Sequence, residues 1–232
     1  MSAISYPHGL VDDIKGMNDY LVKNKKNIWI GTDCCLGGYF TSISSKLKDN
    51  RFSPVDFSLE RVGTITVDPH KYGQSPKGVS IVLFRNMELK CCSLSLHRYW
   101  TAGFYGTTSV SGSRPAGPVV GAWISMKLFG LKGIIENYRQ ITSTTDYLVK
   151  ELSLMPEIKL VGDPKGCVLA FTTKNKKLLY HIDTVFKERE WMIPMMSKPV
   201  GFRFTLTLAN IPEFRKNFIK DLKVAIEYAL KN

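Results

Sequence analysis

The stretch Thr64-Ile-Thr-Val-Asp-Pro-His70-Lys71-Tyr72-Gly73, closed by Pro76-Lys77-Gly78, sets one lysine amine in a polar turn at the end of a β-branched run. Thr64 to Val67 predicts a short strand, and Asp68-Pro69 ends it, because proline cannot donate to a ladder and biases its predecessor toward extended geometry. Lys71 therefore falls just past a strand's carboxyl end, where open α/β sheets place their ligand crevice. A lysine held there beside a histidine and a second cation is expected to have its pKa lowered toward neutrality. A neutral amine attacks carbonyls and forms a Schiff base. The ordinary alternative is a solvated turn lysine, so other residues must decide.

Asp33 is the first of them. Asn27-Ile-Trp-Ile-Gly-Thr-Asp33 predicts a strand with apolar residues at 28 and 30, ending in a carboxylate followed by Cys34-Cys35-Leu36-Gly37-Gly38. If the two strands share a sheet, their ends present an acid and a lysine. Those are the two groups needed by an aldehyde cofactor with a basic ring nitrogen: the lysine for the aldehyde, the acid to keep the ring protonated as an electron sink. Alone, an Asp before a loop is more often a turn or cap residue.

With both elements in view, the chain resembles a known family. Asp-x-His-Lys-Tyr-Gly-x-x-Pro-Lys-Gly is similar to the lysine motif of the group II pyridoxal-phosphate decarboxylases, and within them of the sphingosine-1-phosphate lyases. Three more matches stand in the same order: Tyr6-Pro-His-Gly-Leu-Val-Asp12-Asp13-Ile14, Asp33-Cys-Cys-Leu-Gly-Gly38, and Gly103-Phe-Tyr105 through Gly112-Ser113-Arg114-Pro115. The resemblance implies a fold-type-I α/β architecture. Residues 1–130 would be the later part of the cofactor-binding large domain, 131–155 a connecting helix, and 156–232 a small α+β carboxyl-terminal domain.

It also implies pyridoxal 5'-phosphate as cofactor, with Lys71 as the Schiff-base lysine and Asp33 as partner of the pyridine nitrogen. His70 would lie against the cofactor phosphate, Ser113 would reach the cofactor phosphate of a neighbouring subunit in a homodimer, and Lys77 would bind the substrate phosphate. Tyr105 and Arg114 would belong to a site loop. The implied reaction is retro-aldol cleavage of a phosphorylated sphingoid base to a fatty aldehyde and phosphoethanolamine. Such a substrate has no α-carboxylate, so Arg203 is expected to have a structural role. The alternatives are an amino-acid decarboxylase and a non-catalytic remnant. Only 32 residues precede Asp33, with no phosphate-binding turn and no ring-stacking histidine among them, so a carboxyl-terminal piece of a lyase-like protein is expected.

Composition suits a folded body. The chain has 232 residues, 44% of them hydrophobic, and carries a net charge of +12 from 32 basic and 20 acidic residues. Much of that charge sits in solvated lysine runs. A basic face could favour an anionic membrane or a phosphorylated lipid, while no zinc, helix-turn-helix or RNP-like motif supports nucleic-acid binding. The five cysteines at 34, 35, 91, 92 and 167 suit neither a disulfide framework nor a metal knuckle, which points to a reducing, cytoplasmic setting. The family's eukaryotic members sit on the cytosolic face of the endoplasmic reticulum through an anchor ahead of these motifs. No metal-ligand spacing, signal segment or 18-residue apolar span is read in this chain.

The remaining elements must position these groups. Helices are predicted over 10–23, 119–128, 132–154, 178–189 and 212–230, the last with Phe214, Phe218, Leu222, Ala225 and Ala229 on one stripe. Strands are predicted at 79–84, 158–161, 168–172, 191–193 and 202–208, that at 79–84 as a buried strand in a hairpin-like connection with 64–67.

Overall fold

A computed structural model describes residues 1–231. The first sheet has strand order β1-β2-β3, from Ile30–Asp33, Val62–Val67 and Ile81–Phe84. β1 and β2 run parallel, with Asp33 opposite Thr66, and β3 returns antiparallel to β2. Helices α1 (Ile14–Lys23) and α2 (Gly38–Leu47) flank this sheet in sequence. Ile14, Leu21, Ile30, Val55, Leu59, Val62 and Ile65 form its own hydrophobic cluster. After a short helix α3 (Met87–Cys91), β4 (Ser95–Trp100) and β5 (Gly103–Thr107) form a hairpin.

The carboxyl-terminal part is an antiparallel four-stranded sheet, order β6-β7-β9-β8, built from Ile158–Leu160, Val168–Thr173, Val200–Thr205 and Met195–Ser197. Helix α5 (Lys177–Glu188) and the terminal run α6 (Ile211–Glu213), a π-helical turn (Phe214–Phe218) and α7 (Ile219–Lys231) pack on it. Phe171, Phe186, Phe202 and Phe218 are almost fully buried there. All five residues of the expected 212–230 stripe are buried. Leu36, Phe40 and Ile43 belong to the same cluster, so the region after β1 is sealed against this carboxyl-terminal core.

Between the two lies α4 (Gly117–Ser153), broken at Gly130, whose φ of 54° a helix cannot continue through and L side chains rarely adopt. The two helices expected from sequence are its two segments. The second is half in the core through Tyr138, Ile141, Leu148 and Leu152. The first is apolar but open to solvent, with Val119, Trp123 and Leu128 exposed.

Several expectations need correction. Among the described residues, α4 passes as a membrane-crossing helix by length and composition alone, where no such apolar span is expected from the sequence, although its apolar stretch is divided at Gly130. β1 begins at Ile30 rather than Asn27, because Trp29 turns out to solvent under the Arg61 guanidinium, 6.0 Å from its ring centroid. β3 is an edge strand with Val82 and Leu83 exposed, not a buried one. Trp191–Ile193 is not a strand: Trp191 Nε1 donates to Asp221 at 2.8 Å and its ring packs on Phe214 and Phe218. Pairing starts beyond Pro194, whose carbonyl accepts from the Arg203 N–H. Finally, α1 starts at Ile14, with Asp13 as its N-cap accepting from Gly16 N.

Candidate active site

Parallel pairing brings the two expected groups to one sheet edge. Beyond the strand ends the chains stay side by side, since Cys34 N donates to Thr66 O and Asp68 N to Cys35 O. The first chain then turns at once into α2. A Cβ on Gly37 would collide with the backbone of Ala3 and Ile4, which explains one glycine of the Leu-Gly-Gly motif by space alone. The second chain folds into a tight turn: Lys71 N donates to Asp68 O, Gln74 N to Lys71 O and Ser75 N to Pro69 O. Gly73 closes it, because a Cβ there would sit 2.6 Å from Pro69 O. The turn is tied down on two sides. Tyr72 OH donates to Leu206 O at 2.7 Å, and Ser125 Oγ of α4 donates to Gln74 O at 3.2 Å.

The Lys71 ammonium sits 3.0 Å from Asp68 Oδ2 and donates to Cys35 Sγ at 3.1 Å. Burial alone would lower its pKa, but Cys35 and Asp68 outweigh burial and raise it. The expectation of a pKa lowered toward neutrality is thus corrected, because the groups that touch the amine are a carboxylate and a thiol rather than cations. Asp33 Oδ1 accepts from Cys35 N and from Thr66 Oγ1, both at 3.0 Å. Burial pushes this carboxyl up, yet the Cys35 and Thr66 donors and the Lys71 charge hold it below the usual carboxylate range. Cys35 stands between the two, and burial keeps its thiol pKa raised despite Lys71.

His70 lines the same cleft as Lys71 and shares Asp68 with it. Its Nδ1 donates to Val79 O at 2.9 Å, and Nε2 lies 3.8 Å from Asp68 Oδ2. Tyr105 sits in the hairpin opposite His97, 6.3 Å from the Trp100 ring. Lys77, Ser113 and Arg114 are exposed. None of these four lines the cleft at Lys71 within this chain.

That cleft has a volume of about 470 Å³. Leu36, Ile141, Leu208 and Ala209 give it apolar walls, and Gln74, Asn137, Thr205 and Thr207 give it polar ones. Among the described residues no arginine lines it; Arg203 instead stacks on the Tyr6 ring at 4.4 Å. A second cavity of about 450 Å³ lies against α2, floored by Val55, Phe57, Ile65 and Val67, and Lys71 does not reach it. Sequence reasoning missed the cleft residues from the second segment of α4 and the end of β9, which come from far along the chain and carry no local signal. It also read Asp68 only as a strand terminator, although three positions before Lys71 in one turn was a usable hint.

A lysine past one parallel strand and a carboxylate at the end of its neighbour define a class, the α/β proteins that hold a pyridine aldehyde at a sheet edge. Comparison with known proteins bears this out. Residues 7–174 match the family described as the pyridoxal-dependent decarboxylase conserved domain. The chain is 32% identical over its full length to sphingosine-1-phosphate lyase of Dictyostelium discoideum and 31% identical to sphingosine-1-phosphate lyase 1 of Rattus norvegicus, covering 42% and 40% of those proteins. A solved sphingosine-1-phosphate lyase from Burkholderia pseudomallei superposes with a TM-score of 0.88 at 27% identity, over 98% of this chain and 51% of that one. The chain belongs to the pyridoxal-dependent decarboxylase family, and it spans about two fifths of the length of the curated relatives it matches.

The family's cofactor is pyridoxal phosphate, and the donor set fits it at two ends. A primary amine would be available to the aldehyde, and a carboxylate held ionised by three neighbours would suit the ring nitrogen.

Proposed function

We propose that this chain contributes the lysine side of a pyridoxal-phosphate-dependent carbon–carbon lyase that cleaves phosphorylated sphingoid bases to a fatty aldehyde and phosphoethanolamine. The observation that carries the reading is the parallel register that sets Asp33 beside Thr66 at the ends of β1 and β2, with Lys71 in the turn just past β2 close enough for its charge to act on Asp33, opening on a cleft with no arginine among the described residues. An amino-acid substrate would bring a carboxylate that such a cleft has no bidentate partner for. An amino alcohol phosphate brings none.

Bound pyridoxal phosphate supplies a carbonyl for amine capture and a protonated ring that accepts the electron pair of a breaking carbon–carbon bond. The chain's own residues have separate tasks. Lys71 anchors the cofactor aldehyde and must shed a proton to do so. Asp33, kept ionised by the Cys35 N–H and the Thr66 hydroxyl, holds a proton on the ring nitrogen. His70, which lines the cleft, would border the cofactor phosphate, and Lys77, exposed outside this chain's cleft, would meet the substrate phosphate in the assembled enzyme. Leu36, Ile141 and Leu208 exclude water from the amine's side of the cleft.

Ser113, Tyr105 and Arg114 act from a neighbouring copy in a homodimer. The β4–β5 hairpin and the first segment of α4 support that assignment, because they expose Tyr99, Trp100, Phe104, Val119 and Trp123. In this reading residues 1–130 form part of the cofactor-binding domain, 131–155 the connecting helix and 156–232 the small domain.

The test is reductive trapping. Protein incubated with pyridoxal phosphate and borohydride is expected to gain one pyridoxyl group, mapped by mass spectrometry to Lys71 and absent in Lys71→Ala. Adduct spread evenly over surface lysines, or unchanged in Lys71→Ala, refutes the assignment. For full-length enzyme, fatty aldehyde as product supports the lyase reaction, and carbon dioxide from an amino acid refutes it.

A further inference from the structure

We propose that Asp68 is a positioning residue that clamps the free Lys71 amine, so that a carbonyl compound reaches that amine only when the clamp is released. The inference deepens the reading above and takes Lys71 as the reacting amine from it. Its own test needs no cofactor.

The geometry is that of a built latch. Asp68 and Lys71 are three residues apart in one turn, and Lys71 N donates to Asp68 O, so the backbone itself sets the two side chains on the same side. The carboxylate is divided between two tasks. Oδ1 accepts from the Ser80 hydroxyl at the start of the return to β3, and Oδ2 faces the ammonium at 3.0 Å. Its side chain is only 14% exposed, against 32% for Lys71, so the pair is shielded from solvent on the carboxylate's side. Cys35 Sγ takes another ammonium proton at 3.1 Å. Two of the three N–H bonds of the ammonium are therefore spoken for by fixed acceptors.

The other groups facing this amine do not reverse that picture. Asp33 and Cys35 approach from the end of β1, Asp68 and His70 from its own turn, and Cys167 from the residue before β7. Two of them are carboxylates held below the usual carboxylate range, each against a burial penalty: Asp68 by Ser80, Lys71 and His70, and Asp33 by the donors described above. The surroundings thus favour a charged, non-nucleophilic lysine as long as the amine is free. Converting Asp68 to an amide removes one fixed negative charge and leaves the Ser80 hydrogen bond possible.

A simple acylating reagent reads this directly. Competitive labelling of the purified protein with acetic anhydride across pH 6–11, with Lys71 quantified by mass spectrometry, reports the fraction of free amine. An opposite charge at this distance typically moves a pKa by about 1–3 units, and partial exposure puts the expectation at about one. Asp68→Asn is therefore expected to shift the Lys71 labelling midpoint down by about one unit and to speed labelling at pH 7 about tenfold. Other lysines serve as internal references. A midpoint unchanged within about 0.3 unit, in a variant with native circular dichroism, overturns the clamp. If Asp68→Asn fails to fold, Asp68→Ser decides, since it also removes the negative charge beside the amine: faster Lys71 labelling supports the clamp, and unchanged labelling refutes it. A shift in labelling without any pyridoxyl adduct on Lys71 would sustain the clamp and remove the cofactor assignment, so the two failures are distinguishable.

Discussion

Replacing Tyr72 by phenylalanine isolates the tie between the lysine turn and the carboxyl-terminal sheet. The phenol donates to Leu206 O at 2.7 Å across 134 positions of sequence, and Leu206 is fully buried. Its ring stands edge-on to Phe40 at 4.7 Å, a contact that phenylalanine keeps. The substitution therefore removes one hydroxyl and leaves a buried carbonyl without that donor. A lost hydrogen bond with a stranded acceptor costs about 1–3 kcal/mol. For a chain of this size that is a fall in Tm of about 2–4 °C per kcal/mol. Urea unfolding with an unchanged m-value is the assay. A loss below about 0.5 kcal/mol would falsify the reasoning, because it would mean that the carbonyl finds another partner at no cost. The pH dependence adds a second check. Burial raises the Tyr72 pKa well above 10.0, so above that pH the folded state binds the more protons. The stabilisation from the neutral phenol is full below pH 10 and is lost as the pH rises further, and Tyr72→Phe lacks this component of alkaline destabilisation.

Two further outcomes follow from burial and from space. Burial lifts the Cys34 and Cys167 thiols to about 12, so they stay protonated while the unfolded chain ionises from about pH 9. Stability is expected to fall by about 1.4 kcal/mol per pH unit per thiol above that point, and Cys34→Ala with Cys167→Ala should flatten the slope measured by urea unfolding between pH 9 and 11. Gly73→Ala forces a Cβ to 2.6 Å from the Pro69 carbonyl, which the turn cannot relieve by a side-chain rotation, and is expected to cost about 1–3 kcal/mol in the same assay and to slow pyridoxyl trapping at Lys71.

Element by element, what could be read from the sequence was what local chemistry dictates. The β-branched run at 64–67, the apolar stripe of 212–230 and the two helices on either side of Gly130 all formed, because each carries its own periodicity or its own breaker. Placement against neighbours was not legible. The strand at 79–84 read as buried, yet in this chain Val82 and Leu83 face solvent, as do Val119, Trp123 and Leu128 of the apolar helix, since composition marks a surface that must be covered without saying by what. Trp29 and Trp191 misled in the same way. Both are aromatic residues with strand propensity whose positions are decided by a distant partner, Arg61 for one and Asp221 for the other.

The site shows the same division more sharply. Lys71 and Asp33 were legible as strand-end residues, and the parallel register joins their edges. What was not legible was the charge state of the amine. Along the sequence Lys71 has His70 beside it and Lys77 in the same turn, which argues for a depressed pKa. In space it meets Asp68, Cys35 and the field of Asp33, and the His70 ring points at Val79 O instead. Coulomb energy falls with distance in space and ignores distance in sequence, so one carboxylate at 3.0 Å outweighs cations that are merely near in the chain. The consequence is chemical. A lysine kept charged by its own turn is protected from stray carbonyls, and its nucleophilicity becomes a property of whatever displaces Asp68 rather than of the lysine itself.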